Sequence, residues 1–176
     1  AYELPIFCQM TFEANGRTVT GTDPATAAIV LDALGASVIG ANCSLGPEQL
    51  LEVATLLRQH TDKPISIQPN AGLPILQDGK TIFPMSPVEM AEWAPKLVAA
   101  GVSYLGGCSG TTPEHIRAMK GAASHLIPPP SKKMDGLWLT SRSQAITLAK
   151  NHPPRLIGER INPTGRKALA ESLRAG

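Results

Sequence analysis

Three thiols and a handful of polar side chains carry whatever chemistry this chain can do. Cys43 sits in Gly-Ala-Asn-Cys-Ser and Cys108 in Gly-Gly-Cys-Ser-Gly-Thr-Thr, each just after a short apolar run. Two thiolates aimed at one point would hold a soft cation, and zinc accepts thiolates in a tetrahedral shell. Free cysteine is also a common small buried residue, so spacing alone leaves both readings open. The Gly106-Gly107-Cys108-Ser109-Gly110 turn suits a second job. Glycines let a backbone approach a ligand closely, and the helix start that follows attracts anions. A phosphate-binding enzyme with incidental cysteines is therefore the alternative. His60 at a helix end and His115 in a helix first turn read as solvated.

The elements that must position these residues follow a rhythm. Strand-like runs are expected at residues 4–11, 37–41, 64–68 and 102–105. Helical runs are expected at 25–34, 47–60, 87–100 and 113–122. Asp23-Pro24 opens the first helix as cap and first-turn proline. Ser86 and Glu89 form a capping box for the third, and Thr112 caps the fourth. Four βα units predict a parallel sheet. Their spacing of 32, 27 and 38 residues matches the repeat of a (β/α)8 barrel, which needs about 250 residues. Four units make half of one. An open doubly wound sheet would usually carry Gly-x-Gly-x-x-Gly after its first strand, and none is present.

Polar residues gather at the C-terminal tips of these strands: Thr11 and Glu13, Asn42 and Cys43, Gln68 and Asn70, Cys108 and Ser109. Alternation places Gln9, Thr11 and Glu13 on one face, and Ser66, Gln68 and Asn70 on one face. A barrel interior that turns polar toward that mouth resembles an active site, against the plainer reading of ordinary loop polarity. Alternate strands of a closed barrel can aim Cys43 and Cys108 at one centre. Cys8 has the opposite parity and should face the helices as core.

Composition bounds the function. Of 176 residues, 43% are hydrophobic and 17% charged, so the chain can bury a core. The net charge of +2, without like-charge blocks, offers nothing to nucleic acid or an anionic membrane. No apolar run approaches the roughly 20 residues of a membrane span. An odd cysteine count without disulfide spacing points to the cytoplasm. A chain opening on Ala1 is expected to be processed or cut from a longer one.

Taken in order, TFEANGRTVTGTDP, GANCSLGPEQLL, QPNAGLP and GGCSGTTPEHI resemble the homocysteine-binding barrel of the cobalamin-dependent methionine synthases, within the homocysteine S-methyltransferase family. The match covers about residues 4–126, the C-terminal half of that barrel, and sets the first domain at residues 1–127. The resemblance implies a zinc that binds the homocysteine thiol, with Cys43 and Cys108 at ligand positions. It also places Glu13, Asn42 and Asn70 in the homocysteine pocket. One departure stands out. The family pattern has two adjacent cysteines at the last strand, and here the second is Ser109, a poor zinc ligand because it stays protonated. A non-catalytic remnant kept for binding or assembly is the reading this departure suggests.

Residues 128–154 read as an interdomain linker, opened by Pro128-Pro129-Pro130, with a short strand-forming stretch at 137–148. Residues 155–176 (with LIGERINPTGRKALAESLRAG) resemble the start of the pterin-binding barrel that follows in methionine synthases. A strand at 156–158 and a helix at 166–174 are expected. Glu159 and Asn162 match positions facing methyltetrahydrofolate. The implied methyl donor is methylcobalamin, carried by another module. The implied partners are homocysteine, a cobalamin-binding module, and either the missing N-terminal half-barrel or a second copy of this chain.

Overall fold

The computed structural model describes residues 4–131, 136–149, 152–154, 158 and 165–175. The elements in chain order are β1 (Phe7–Met10), α1 (Pro24–Ala33), β2 (Val38–Asn42), α2 (Pro47–His60), β3 (Ile65–Gln68), β4 (Ile75–Gln77), β5 (Lys80–Ile82), α3 (Pro87–Ala99), β6 (Val102–Leu105), α4 (Pro113–Ala123), β7 (Leu137–Thr140), β8 (Ala145–Leu148) and α5 (Lys167–Ala175). Helix starts are where the caps put them. The Asp23 carboxylate accepts from the Thr26 amide at 2.7 Å. Glu89 accepts from the Ser86 amide at 2.7 Å, and Ser86 Oγ accepts from the Glu89 amide at 3.3 Å.

One four-stranded sheet runs β1-β2-β3-β6, every pair parallel. Strand neighbours follow the order of the βα units, and among the described residues there is no reversal of the kind a doubly wound sheet has. Side chains on one face of these strands pack under the helices. Ile39, Ala41, Ile65, Ile67 and Val102 form the core with Leu50, Val53, Ala54, Leu57 and Leu97, and Cys8 and Met10 pack against it. Cys8 thus lies on the helix side, as its parity predicts.

The other face curls on itself. In a flat sheet the outer two of four strands lie about 14 Å apart. Yet the rings of Phe7 on β1 and Tyr104 on β6 meet edge to face at 5.2 Å. Gln9 Nε2 on β1 donates to Ser66 Oγ on β3 at 2.9 Å, reaching across β2. The residue between them in register is Gly40. A Cβ there would collide with the Ser66 carbonyl oxygen. A bulge in the β3–β6 pairing sets Tyr104, not Ser103, opposite Ser66. Gly106 and Cys108 then follow Tyr104 with inward parity. Phe7 and Tyr104 remain 51% and 47% exposed although they point into this concave face.

Two antiparallel hairpins decorate the sheet. β4–β5 occupies the long connection before α3 and accounts for the 38-residue spacing. β7–β8 fills the stretch expected to be a short strand, within the residues read as linker. It packs on the helices: Trp138 lies edge to face on His60 at 4.9 Å. Arg17 Nη1 donates to the Ser143 carbonyl at 3.0 Å and Thr22 Oγ1 to the Arg142 carbonyl at 2.9 Å. His60 and His115 are both buried, at 7% and 6% exposure, which corrects their reading as solvated. The expected strand at 156–158 lies largely outside the described residues, as do Glu159 and Asn162. No helix among the described residues is long and apolar enough to cross a membrane.

Candidate functional site

The C-terminal tips of β1, β2, β3 and β6 converge. After β2 the chain turns sharply: Cys43 and Ser44 adopt φ of 64° and 59°, the left-handed region that side chains rarely adopt. Two such residues in succession cost energy that the surroundings must sustain, a pattern that clusters at functional positions. The turn is pinned by the Cys43 amide on the Gln68 carbonyl at 3.0 Å and the Asn70 amide on the Leu45 carbonyl at 3.0 Å. It brings Cys43 Sγ to 3.8 Å from Ser109 Oγ, 66 residues away.

The opposite wall is the β6–α4 loop. Its Cys108 amide donates to the Pro69 carbonyl at 2.8 Å. Its Ser109 amide donates to Asn70 Oδ1 at 3.1 Å. Asn70 is 3% exposed, so this side chain holds the loop through Oδ1 and has its NH2 group to offer as a donor. Glu13 follows β1 and accepts from Ser44 Oγ at 3.1 Å. Its own loop closes through the Glu13 amide on the Arg17 carbonyl at 2.8 Å. Asn42 shares the inner face with Gly40 and pairs in register with Gln68. Glu13, Asn70, Cys43, Cys108 and Ser109 therefore form one cluster, with Asn42 at its edge. Ser44 belongs to it too and was not singled out from sequence.

The electrostatics shift one thiol toward easier deprotonation. The Cys43 thiol is held below its ordinary value, first by a hydrogen bond with Cys108, then by the Ser44 backbone and the Ser109 hydroxyl. Burial and the Glu13 carboxylate push the other way and lose. Cys43 Sγ and Ser109 Oγ stand 3.8 Å apart, somewhat wider than the roughly 3.6 Å edge that zinc–sulfur and zinc–oxygen bonds of about 2.3 and 2.1 Å would span. Two thiols and a hydroxyl converge here, which as zinc donors would be two strong ligands and one weak neutral one. Among the described residues no group of three or more His, Cys, Asp or Glu is placed to hold a metal.

As an anion cradle the same loop has little to offer, since five of its seven amides from Gly106 to Thr112 are committed. The amides of Gly106, Cys108, Ser109, Thr111 and Thr112 all donate to protein acceptors. A phosphate cradle needs such amides free.

Parallel βα units in sequential order, with a thiol-bearing cluster at their C-terminal ends, define an α/β protein consistent with the TIM-barrel type. The homocysteine methyltransferase MmuM from Escherichia coli, solved in its metallated form, has this fold. It superposes with a TM-score of 0.54 at 23% identity, over 68% of this chain and 36% of that one. The chain belongs to the homocysteine S-methyltransferase family, whose profile matches residues 1–123. Methionine synthase of Mycobacterium tuberculosis (strain ATCC 25618 / H37Rv) is 35% identical over 171 residues, 97% of this chain. Methionine synthase of Mycobacterium leprae (strain TN) is 34% identical over 183 residues, again 97% of this chain. The chain spans only 14% and 15% of the lengths of these two relatives.

Proposed function

We propose that this chain is the methyl-accepting part of a methionine synthase: it binds homocysteine and presents its sulfur to a methyl donor. The observation that carries this reading is the meeting of Cys43, Cys108 and Ser109 at one point in a chain of this family. Its four βα units are half of an eight-stranded barrel. The unfilled concave face and the part-exposed Phe7 and Tyr104 support this, because a closed barrel would cover both. The other half is the missing N-terminal half-barrel or a second copy of this chain.

Cys43 and Cys108 are the residues that would hold zinc, as thiolates, with Ser109 as a weak neutral donor near them. Zinc, when bound, supplies a Lewis acid that keeps an incoming thiol in its reactive deprotonated form. Glu13 pairs with the ammonium group of homocysteine, and Asn42 and the Asn70 NH2 group hydrogen-bond its amino-acid end. A carbon–sulfur bond forms as the bond from the methyl group to its carrier breaks, and the thiol proton goes to solvent. No protein base acts at carbon, so the residues contribute mainly by orientation. The donor is methylcobalamin on another module, replenished from methyltetrahydrofolate. By the same family likeness, Glu159 and Asn162 would belong to the folate site of the domain opened by residues 155–176.

The test uses the full-length polypeptide carrying this chain. Stoichiometric zinc, lost in Cys43→Ser and Cys108→Ser, together with zinc-dependent homocysteine binding, is expected. Zinc retained by both variants, or homocysteine binding indifferent to them, would overturn the reading.

A further inference from the structure

The β6–α4 loop is held by a closed circuit of hydrogen bonds, and one imidazole completes it. Its first links are the Cys108 and Ser109 amides on Pro69 and Asn70, already described. The Ala71 amide returns the contact to the Ser109 carbonyl at 2.9 Å. The Met85 amide then donates to the Ala71 carbonyl at 3.1 Å, which carries the circuit to the segment before α3. The Met85 carbonyl accepts from His115 Nε2 at 2.9 Å. His115 Nδ1 accepts from the Thr112 amide at 3.1 Å and lies 3.0 Å from Thr112 Oγ1. The Thr111 amide and Oγ1 both donate to the Cys108 carbonyl, at 3.1 and 2.7 Å. The path has come back to Cys108.

These partners assign the tautomer. A carbonyl cannot donate, so Nε2 carries the hydrogen; an amide can only donate, so Nδ1 is bare. His115 sits at the third position after the Thr112 cap, where glutamate or glutamine ordinarily closes a capping box. A carboxylate there would satisfy Thr112 but could not donate to Met85. The imidazole does both from one rigid ring. The segment it reaches makes a second contact: Gly110 has φ of 79°, and a Cβ on it would overlap Phe83. The stretch bearing Phe83 and Met85 thus touches the loop at Gly110 and helix α4 at His115.

We infer that His115 is a positioning residue for the metal-binding site, tying the β6–α4 loop to a different βα unit so that Cys108 and Ser109 face Cys43. The inference rests on the thiol-centred reading of the site, and its test separates the two. In the full-length polypeptide, His115→Ala removes both contacts. His115→Glu keeps the acceptor for Thr112 and loses the donor to Met85. His115→Gln restores a donor. Met119→Ala, on the same helix with a 3% exposed side chain outside the circuit, is the control for lost stability. Two probes are read in each. One is zinc affinity by chelator competition. The other is phenylarsine oxide, which bridges two close thiols, read as joint protection of Cys43 and Cys108 by peptide mass analysis.

His115→Ala and His115→Glu are expected to lower zinc affinity about tenfold to a hundredfold, the usual effect of losing a support behind a ligand. Arsenical bridging should fall with it, and His115→Gln should recover part of both. Met119→Ala should stay near the parent in both. Equal zinc affinity and equal bridging in parent, His115→Ala and His115→Glu would overturn the positioning role. So would a loss in Met119→Ala as large as that in His115→Ala. If His115→Ala does not fold, the Glu and Gln variants decide. If the parent binds no zinc yet bridges the arsenical, and the His115 variants lose bridging, the zinc reading fails and the positioning role stands.

Discussion

Restoring the third thiol is the sharpest perturbation of this site. Ser109 Oγ already stands at a thiolate-tetrahedron edge length from Cys43 Sγ, 3.8 Å. Its backbone is fixed on both sides, by the amide on Asn70 and the carbonyl on Ala71. Ser109→Cys should therefore deliver a sulfur to the right place without moving the loop. Zinc sites built from thiolate and imidazole are worth about 10–16 kcal/mol in total, or roughly 3 kcal/mol per ligand. A neutral hydroxyl already supplies a small part of that. The net gain is about 2–3 kcal/mol, on the order of a hundredfold in affinity. Competition with a chromogenic chelator measures it in the full-length polypeptide. The pH dependence should steepen, because one more ligand must lose its proton. Equal zinc affinity in parent and variant would refute the reasoning: the third donor would then come from elsewhere, or the metal would not sit between these strands.

Three further outcomes follow from packing and charge. Gly40→Ala forces a methyl group against the Ser66 carbonyl in the middle of the sheet. It should cost about 1–3 kcal/mol or more, read as a lower urea midpoint at unchanged slope; an unchanged midpoint would contradict the close approach of β2 and β3. Cys8→Ala should lower stability by about 1 kcal/mol through lost packing while leaving zinc affinity untouched; a change in zinc affinity would mean Cys8 takes part in the site. The Glu89 carboxylate is held below its usual range by the Ser86 hydroxyl and amide. Its contribution is present above the unfolded carboxylate range and is lost as pH falls, so the melting-temperature gap between parent and Glu89→Gln should close in acid; a gap that widens in acid would reverse the assignment.

The sequence made the four βα units legible because their signals are local. Helix α2 opens and closes where proline and the last apolar turn place it, and the Ser86–Glu89 box is written in adjacent residues. Parity alone assigned Gln9 and Ser66 to the inner face and Cys8 to the helices. The β4–β5 hairpin had a signal that was passed over: Asp78-Gly79, lying between Ile75-Leu76 and Ile82, with φ of 50° and 73° as a two-residue primed turn requires. The burial of His115 was hidden for another reason. Its position three residues after a threonine cap was visible, but its partner Met85 lies 30 residues away on a different unit. Convergence of Cys43 with Ser109 is equally nonlocal. Spacing could only leave it open, and the family likeness supplied the expectation.

The β7–β8 hairpin has a topological consequence. Leu137 pairs with Leu148, so the chain leaves this excursion beside the point where it arrived. For the route of the polypeptide the hairpin is a parenthesis, with its first and last residues side by side. Its presence is therefore not explained by the need to travel. What it adds is a weld. The turn at Arg142 and Ser143 is fastened to Thr22 and Arg17, and Arg17 closes the loop that starts at Glu13. A segment that ends beside its own start thus braces the wall of the site, and tension applied downstream of Leu148 would meet this weld before it reached the strands.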